Sequence, residues 1–256
     1  MMRVVKIGGR AQADPRLFQL LGEAWNDSPT SLCVVHGGGD EVSAMQKALG
    51  REAVFVGGRR VTSNSDLDLL RMVLSGAANK RLVNGLVAAG VAAIGLSGED
   101  GALIRAEVID AESLGFAGRP TSVNSQLLRA LMDAGNLPVI SPVSYNDDNA
   151  QGGALNVNGD DAASAIAAAL QADELLLIAD VEGVRDEQGE VLPLITLESA
   201  RELIENGTAS GGMAAKLESA HAALLAGVDR VRICDLAGLL DAGRGTFITQ
   251  SQSVVT

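Results

Sequence analysis

The sequence predicts an α/β protein, a three-layer αβα sandwich around a mainly parallel central sheet. Three observations carry that prediction: short apolar runs recur along the chain, amphipathic helical stretches separate them, and glycine or polar turns close them. The runs are Val4 to Ile7, Leu32 to Val35, Val91 to Leu96, Leu137 to Ile140, Leu175 to Ala179 and Val231 to Cys234. Most are β-branched or continuous rather than alternating, as expected of strands covered on both faces of a parallel sheet. Between them, Asp40 to Leu49 places Val42, Met45 and Leu49 on one helical face, and Ser65 to Ala77 turns Leu69, Met72 and Val73 inward. Ser125 to Ala134, Asp160 to Leu170, Leu197 to Glu205 and Met213 to Ala226 read as helices in the same way. The alternation implies right-handed crossovers that lay helices on both sides of the sheet. The segment Ser144 to Asn158, rich in Asn, Asp and Gly, reads as a hairpin or exposed loop. A soft boundary near residue 172 divides an N-terminal lobe, 1–172, from a C-terminal lobe, 173–256.

Composition narrows the function. The 256 residues suit one large α/β unit or two lobes sharing a sheet. The chain is 47% hydrophobic but only 2% aromatic, so Ala, Val, Leu and Ile must fill the interior. A formal charge of −12 argues against a nucleic-acid surface, which needs a basic stripe. It does not forbid an anionic substrate where a few Lys and Arg converge. Cys33 and Cys234 lie inside apolar segments and read as reduced core thiols. Met1 to Lys6 enters a strand without a signal-peptide core, and no stretch supplies the ~18 apolar residues of a membrane span. A soluble cytoplasmic protein is expected.

Ligands of such sheets sit beyond the carboxyl ends of the strands, so the turns there carry the chemistry. The first strand ends in Lys6-Ile7-Gly8-Gly9, an ammonium beside two residues whose amides can approach phosphate. By itself this is equally a surface lysine before an ordinary turn. The second ends in His36-Gly37-Gly38-Gly39-Asp40 and opens a helix, a geometry that suits an anion as well as a bare tight turn. Neither a Walker A loop nor a complete Gly-x-Gly-x-x-Gly fingerprint is present, which disfavours a nicotinamide-dependent dehydrogenase. In Gly57-Gly58-Arg59-Arg60-Val61-Thr62, one guanidinium can clamp a carboxylate or both can be solvated. Leu155-Asn156-Val157-Asn158-Gly159-Asp160-Asp161 precedes an Ala-rich helix that Asn158 or Asp160 can cap. Ser210-Gly211-Gly212-Met213-Ala214-Ala215-Lys216 puts a lysine on the first turns of a helix, where the dipole favours acids instead, and the mismatch hints at function. His221, inside a helix, reads as a surface or packing residue.

Taken in this order, the five segments resemble the amino-acid kinase family, and within it the branch that phosphorylates N-acetylglutamate for arginine biosynthesis. The resemblance spans essentially the whole chain. It implies an ATP-dependent kinase that converts a side-chain γ-carboxylate to an acyl phosphate, with Mg²⁺ on the β- and γ-phosphates and no metal ligand from protein side chains. It assigns the transferring phosphoryl group to Lys6 and Lys216, with Gly8, Gly9 and Gly38 cradling it and Asp160 holding the lysines in place. The acyl-amino acid falls to Gly38, Gly39, Arg60 and Asn156. The nucleotide falls to Gly8, to the loop Asp180, Val181, Glu182, Gly183 and Val184, and to Thr208, Ala209, Ser210 and Gly211. Arg10 after the first glycine pair and Ala214-Ala215 before Lys216 depart from the family pattern without removing a charged participant.

An acylglutamate side chain, with a pKa of about 4.3, is ionised at neutral pH and needs no general base. In-line positioning and charge neutralisation remain to be supplied. Spacing leaves open N-succinylglutamate, carrier-protein-linked aminoadipate or glutamate, and a non-catalytic ligand sensor on the same scaffold. Arginine-inhibited family members carry a helix before the first strand and form hexamers. Here the strand starts at once, so the resemblance implies an arginine-insensitive homodimer.

Overall fold

The computed structural model describes residues 1–149 and 152–250. Residues 150 and 151 of the 144–158 segment, and the last six of the proposed C-terminal lobe, lie outside the described residues. The chain opens with β1 (Arg3–Ile7), α1 (Leu17–Asp27), β2 (Leu32–His36) and α2 (Gly39–Ala48). A small hairpin follows, β3 (Phe55–Val56) and β4 (Arg59–Arg60), then α3 (Asn64–Leu70), which runs through a π-helical stretch, Arg71–Ala78, into α4 (Asn79–Ala88). Next come β5 (Ala93–Gly98), β6 (Ile104–Val108), α5 (Ala111–Leu114), β7 (Ala117–Val123), α6 (Ser125–Asp133), β8 (Leu137–Asn146) and β9 (Ala154–Val157). The last elements are α7 (Gly159–Leu170), β10 (Glu174–Ile178), β11 (Leu194–Thr196), α8 (Leu197–Glu205), α9 (Gly211–Leu225), β12 (Arg230–Cys234) and β13 (Thr246–Thr249).

These strands form one sheet in the order β11-β13-β12-β10-β1-β2-β8-β6-β7-β9, with β5 also paired to β8 and the β3–β4 hairpin apart. Its centre is parallel: β1 lies between β10 and β2, with Lys6 opposite Leu177 on one side and Val35 on the other. Antiparallel pairs occur at β12–β13, β6–β7 and β8–β9, the last being the hairpin read from 144–158.

The period of two along a strand decides which layer each side chain enters. Val4, Cys33, Val35, Leu175 and Leu177 join the core beneath α7 and α9. Val5, Ile7, Leu32, Val34, Leu176 and Ile178 join the opposite core with Leu17, Leu21 and Trp25 of α1. Continuous apolar runs therefore mark strands buried on both faces. Lys6 follows Val4's direction and points toward α7. Both cysteines are buried and free, and burial pushes each thiol up to about 12.

Two helical faces differ from the sequence reading. Val42 is buried, but Met45 and Leu49 are exposed; the buried face of α2 continues instead through Gln46, whose amide has polar partners below it. Leu69 and Val73 are buried as expected, whereas Met72 faces outward because Leu70 and Leu74 complete that stripe.

Candidate active site

At the carboxyl ends of β1, β2 and β10 the structure opens a cavity of about 880 Å³. At its floor two cations meet one anion. Lys6 Nζ lies 2.8 Å from Asp160 Oδ1, and Lys216 Nζ donates to both Asp160 oxygens at 3.1 Å. Asp160 sits in the first turn of α7, where Asn158 Oδ1 accepts from the Asp160 N–H at 2.8 Å. Asn158 is thus the cap, and Asp160 is left for the lysines. A Cβ on Gly159 would lie 3.1 Å from Lys6 Cε, so the absence of a side chain there gives the lysine its path.

Burial alone would raise the Asp160 carboxyl, but the charges of Lys6 and Lys216 overrule it and hold it at about 2. Burial and then the charge of Lys6 push Lys216 down to about 8, with Asp160 opposing. The trio keeps a net positive charge in a largely buried place where water screens it poorly, which favours an arriving anion.

The walls are backbone. Gly9 after β1 faces Gly38 after β2, and Gly8 lies against Ile178 O of β10; all three line the cavity. His36, fully buried, donates from Nδ1 to Gly37 O at 2.9 Å and accepts at Nε2 from Asn79 at 3.1 Å; burial lowers its pKa to about 4, so it braces this loop as a neutral ring. Side chains cap the first turns of α3, α5, α6, α7 and α8, whereas α2 and α9, which begin at the cavity with Gly39 and Gly211, have no side-chain cap, as α1 and α4 also have none. Their first N–H groups remain free for an anion, aided by the helix dipole.

Arg60 closes the other end. Its Nη1 donates to Gln46 Oε1 at 2.5 Å, its Nη2 donates to Gly39 O at 2.9 Å and Ser43 Oγ at 2.8 Å, and the guanidinium lies 4.7 Å from the Phe55 ring centroid. Burial lowers its pKa, and Asp66 and Asp40 oppose that. Two of its five N–H groups are left over, so it is a braced cation rather than an empty fork. Asn156 donates to Thr62 Oγ1 at 2.8 Å, and Thr62 donates in turn to Arg60 O at 3.0 Å. Gln46, Ser43, Phe55 and Thr62 escaped the sequence reading; the only signal was a glutamine in an otherwise apolar helical stripe.

On the nucleotide side the assignments divide. Asp180, Val181 and Gly211 line the cavity with Gly8 and Lys216. Gly183 and Val184 do not: both are buried, with Val184 N donating to Thr246 Oγ1. Ala209 is likewise buried and donates its N–H to Leu203 O, while Thr208 and Ser210 fall outside the lining. Glu182 pairs with Arg244 at 2.6 Å. Part of the segment that the family resemblance assigns to the nucleotide therefore serves core packing. Arg10, one step beyond Gly9, pairs with Asp180 at 2.5 Å on the cavity rim.

The model of the amino acid kinase family matches residues 1–235, and the chain belongs to that family. Among curated relatives it is 42% identical over 260 residues to the acetylglutamate kinase of Cereibacter sphaeroides, covering 97% of this chain and 88% of the relative. It is 42% identical over 256 residues to that of Methanopyrus kandleri, covering 96% of this chain and all of the other. A solved structure from Streptococcus mutans superposes with a TM-score of 0.87 at 30% identity, spanning 98% of this chain and 99% of that one.

Replacing Asp160 with Asn should strand two buried ammonium groups and cost about 3–5 kcal/mol at pH 7 in urea unfolding. Because the folded carboxyl titrates at about 2 and its ordinary value is 3.8, its contribution is complete above that ordinary value and is lost as pH falls toward 2. The gap between the two proteins should therefore narrow in acid; a constant gap would show that the charge is not its source.

Proposed function

We propose that the protein is an N-acetyl-L-glutamate kinase, transferring the γ-phosphoryl group of ATP to the side-chain carboxylate and releasing ADP. The observation that carries this reading is the single carboxylate, Asp160, shared by Lys6 and Lys216 at the meeting point of two glycine loops and two uncapped helix N-termini. The relatives named acetylglutamate kinase support the choice of acceptor.

The acceptor carboxylate enters already ionised, and its oxygen attacks the γ-phosphorus as the bond to the bridging oxygen breaks and ADP leaves with that electron pair. Lys6, Lys216 and the N–H groups around Gly8, Gly9 and Gly38 neutralise charge on the oxygens in flight. Asp160 fixes the separation of the lysines. Arg60 and Asn156 are assigned the acceptor's remaining polar groups, with Gly38 and Gly39. The flanking Leu70, Leu74, Ala117 and Pro142 suit a short uncharged acyl group over a succinyl carboxylate. The nucleotide is assigned to the 173–256 lobe, against Asp180, Val181 and Gly211, and the acyl-amino acid to the 1–172 lobe. Mg²⁺ would arrive with the nucleotide phosphates and supply charge neutralisation there. A homodimer is proposed on the family resemblance, with the exposed Met72 flank as a candidate contact. No helix among the described residues is long and apolar enough to cross a membrane.

Hydroxylamine trapping across N-acetyl-, N-succinyl- and free glutamate should give acyl phosphate with the first substrate. No product with any of them would leave a ligand sensor as the better reading. In the same assay Lys216→Ala should lower kcat by about a thousandfold with little change in ATP affinity. Arg60→Lys should chiefly raise KM for the acyl-amino acid, since a point charge cannot replace a fork held at three donors.

Lys216 must be an ammonium to act, and burial sets its folded pKa at about 8. The kcat/KM profile should fall as pH rises through that value, while kcat in the phosphate-bound complex should persist to higher pH. Coincident profiles would contradict the assignment. Light scattering on a sizing column should return twice the chain mass; a monomer or a hexamer would exclude the proposed dimer.

A further inference from the structure

Consecutive residues on a strand project to opposite sides, so the Arg59-Arg60 pair of β4 sends one guanidinium each way. Arg60 goes to α2, as described. Arg59 crosses to α7, where its Nη1 reaches Asp161 Oδ2 at 2.5 Å. The other oxygen, Asp161 Oδ1, accepts from Ser219 Oγ at 2.8 Å. Ser219 is buried and lies three residues after Lys216, on the same face of α9. Neighbouring carboxylates on α7 thus hold neighbouring turns of α9: Asp160 takes Lys216 and Asp161 takes Ser219.

We propose that Arg59, Asp161 and Ser219 form a positioning relay that fixes the β3–β4 hairpin against the helix carrying the phosphoryl-transfer lysine, a proposal that rests on reading the cleft as the transfer site.

The hairpin needs such an anchor. Its strands are two residues each, it is separate from the main sheet, and both turn residues, Gly57 and Gly58, have positive φ, as a tight two-residue connection demands. An isolated ribbon of this length is marginal in water. Phe55 and Arg60 on it line the acceptor end of the cavity, so the hairpin's seating sets where the acyl-amino acid meets the lysines. Arg59 also lines the cavity, but with its guanidinium turned to Asp161 it is given no reacting atom in this scheme; it acts through the hairpin's position, and Asp161 transmits that position to α9.

The test is a double-mutant cycle of Arg59→Gln and Asp161→Asn with two readouts. In turnover, each single variant should raise KM for N-acetylglutamate about tenfold with KM for ATP within about twofold, and the double variant should be no worse than the poorer single. The charge-exchanged pair, Arg59→Asp with Asp161→Arg, should recover part of the loss. Without any substrate, amide hydrogen exchange at 55–60 should quicken in each single variant while the urea midpoint stays unchanged. Additive effects in the cycle, or unaltered exchange at the hairpin, would overturn the relay. Should the unmodified protein phosphorylate no acylglutamate, the functional reading fails, and the exchange measurement still decides whether the relay holds the hairpin.

Discussion

Two ammonium groups held against one buried carboxylate constrain everything around them. Like charges at such range repel strongly in a poorly hydrated interior, and the arrangement persists only because Asp160 bonds both. The imbalance is kept: one negative charge answers two positive ones, and burial followed by the charge of Lys6 lowers the pKa of Lys216. One negative charge on an arriving phosphoryl group would complete the balance. The site is organised for the charge of its ligand before the ligand arrives, which is how preorganised electrostatics accelerates a reaction between two anions.

The surrounding fold supplies this geometry with ordinary means. A strand alternation aims Lys6 at α7, an asparagine cap frees the aspartate behind it, and a glycine clears the lysine's path. Parallel strands β10, β1 and β2 end together, so their loops converge on one cleft. The two helices that start there leave their first amides without side-chain partners, while α3, α5, α6, α7 and α8 are capped. Where local stability and anion binding compete, these helix ends favour binding.

Much of the architecture was legible because burial on both faces leaves an unmistakable residue pattern. The runs at Val4, Leu32, Leu137, Leu175 and Val231 all became central strands. The edge was harder to read. β6, β7 and β13 are buried on alternate residues or only in part, so their composition resembles that of loops. Helical phase also slipped by a residue where polar partners intervened: Gln46 is buried because Arg60 and Asp66 satisfy its amide, and it displaces Met45 and Leu49 from the inner face.

The sequence by itself determined the alternation of strand and helix and the glycine turns at strand ends, because each of these is written in residues close together along the chain; the roles of the charged residues came from the resemblance of five motifs taken in order. Only the tertiary structure decided the rest. Lys6, Asp160 and Lys216 are separated by more than fifty positions at each step, and their meeting depends on sheet order and helix packing. The same holds for Arg59 with Asp161 and Ser219, and for Val184 and Ala209, whose place in the core instead of the cavity no local pattern reveals. Local periodicity specifies which way a side chain faces; what it faces is set by contacts between segments that the linear order does not bring together.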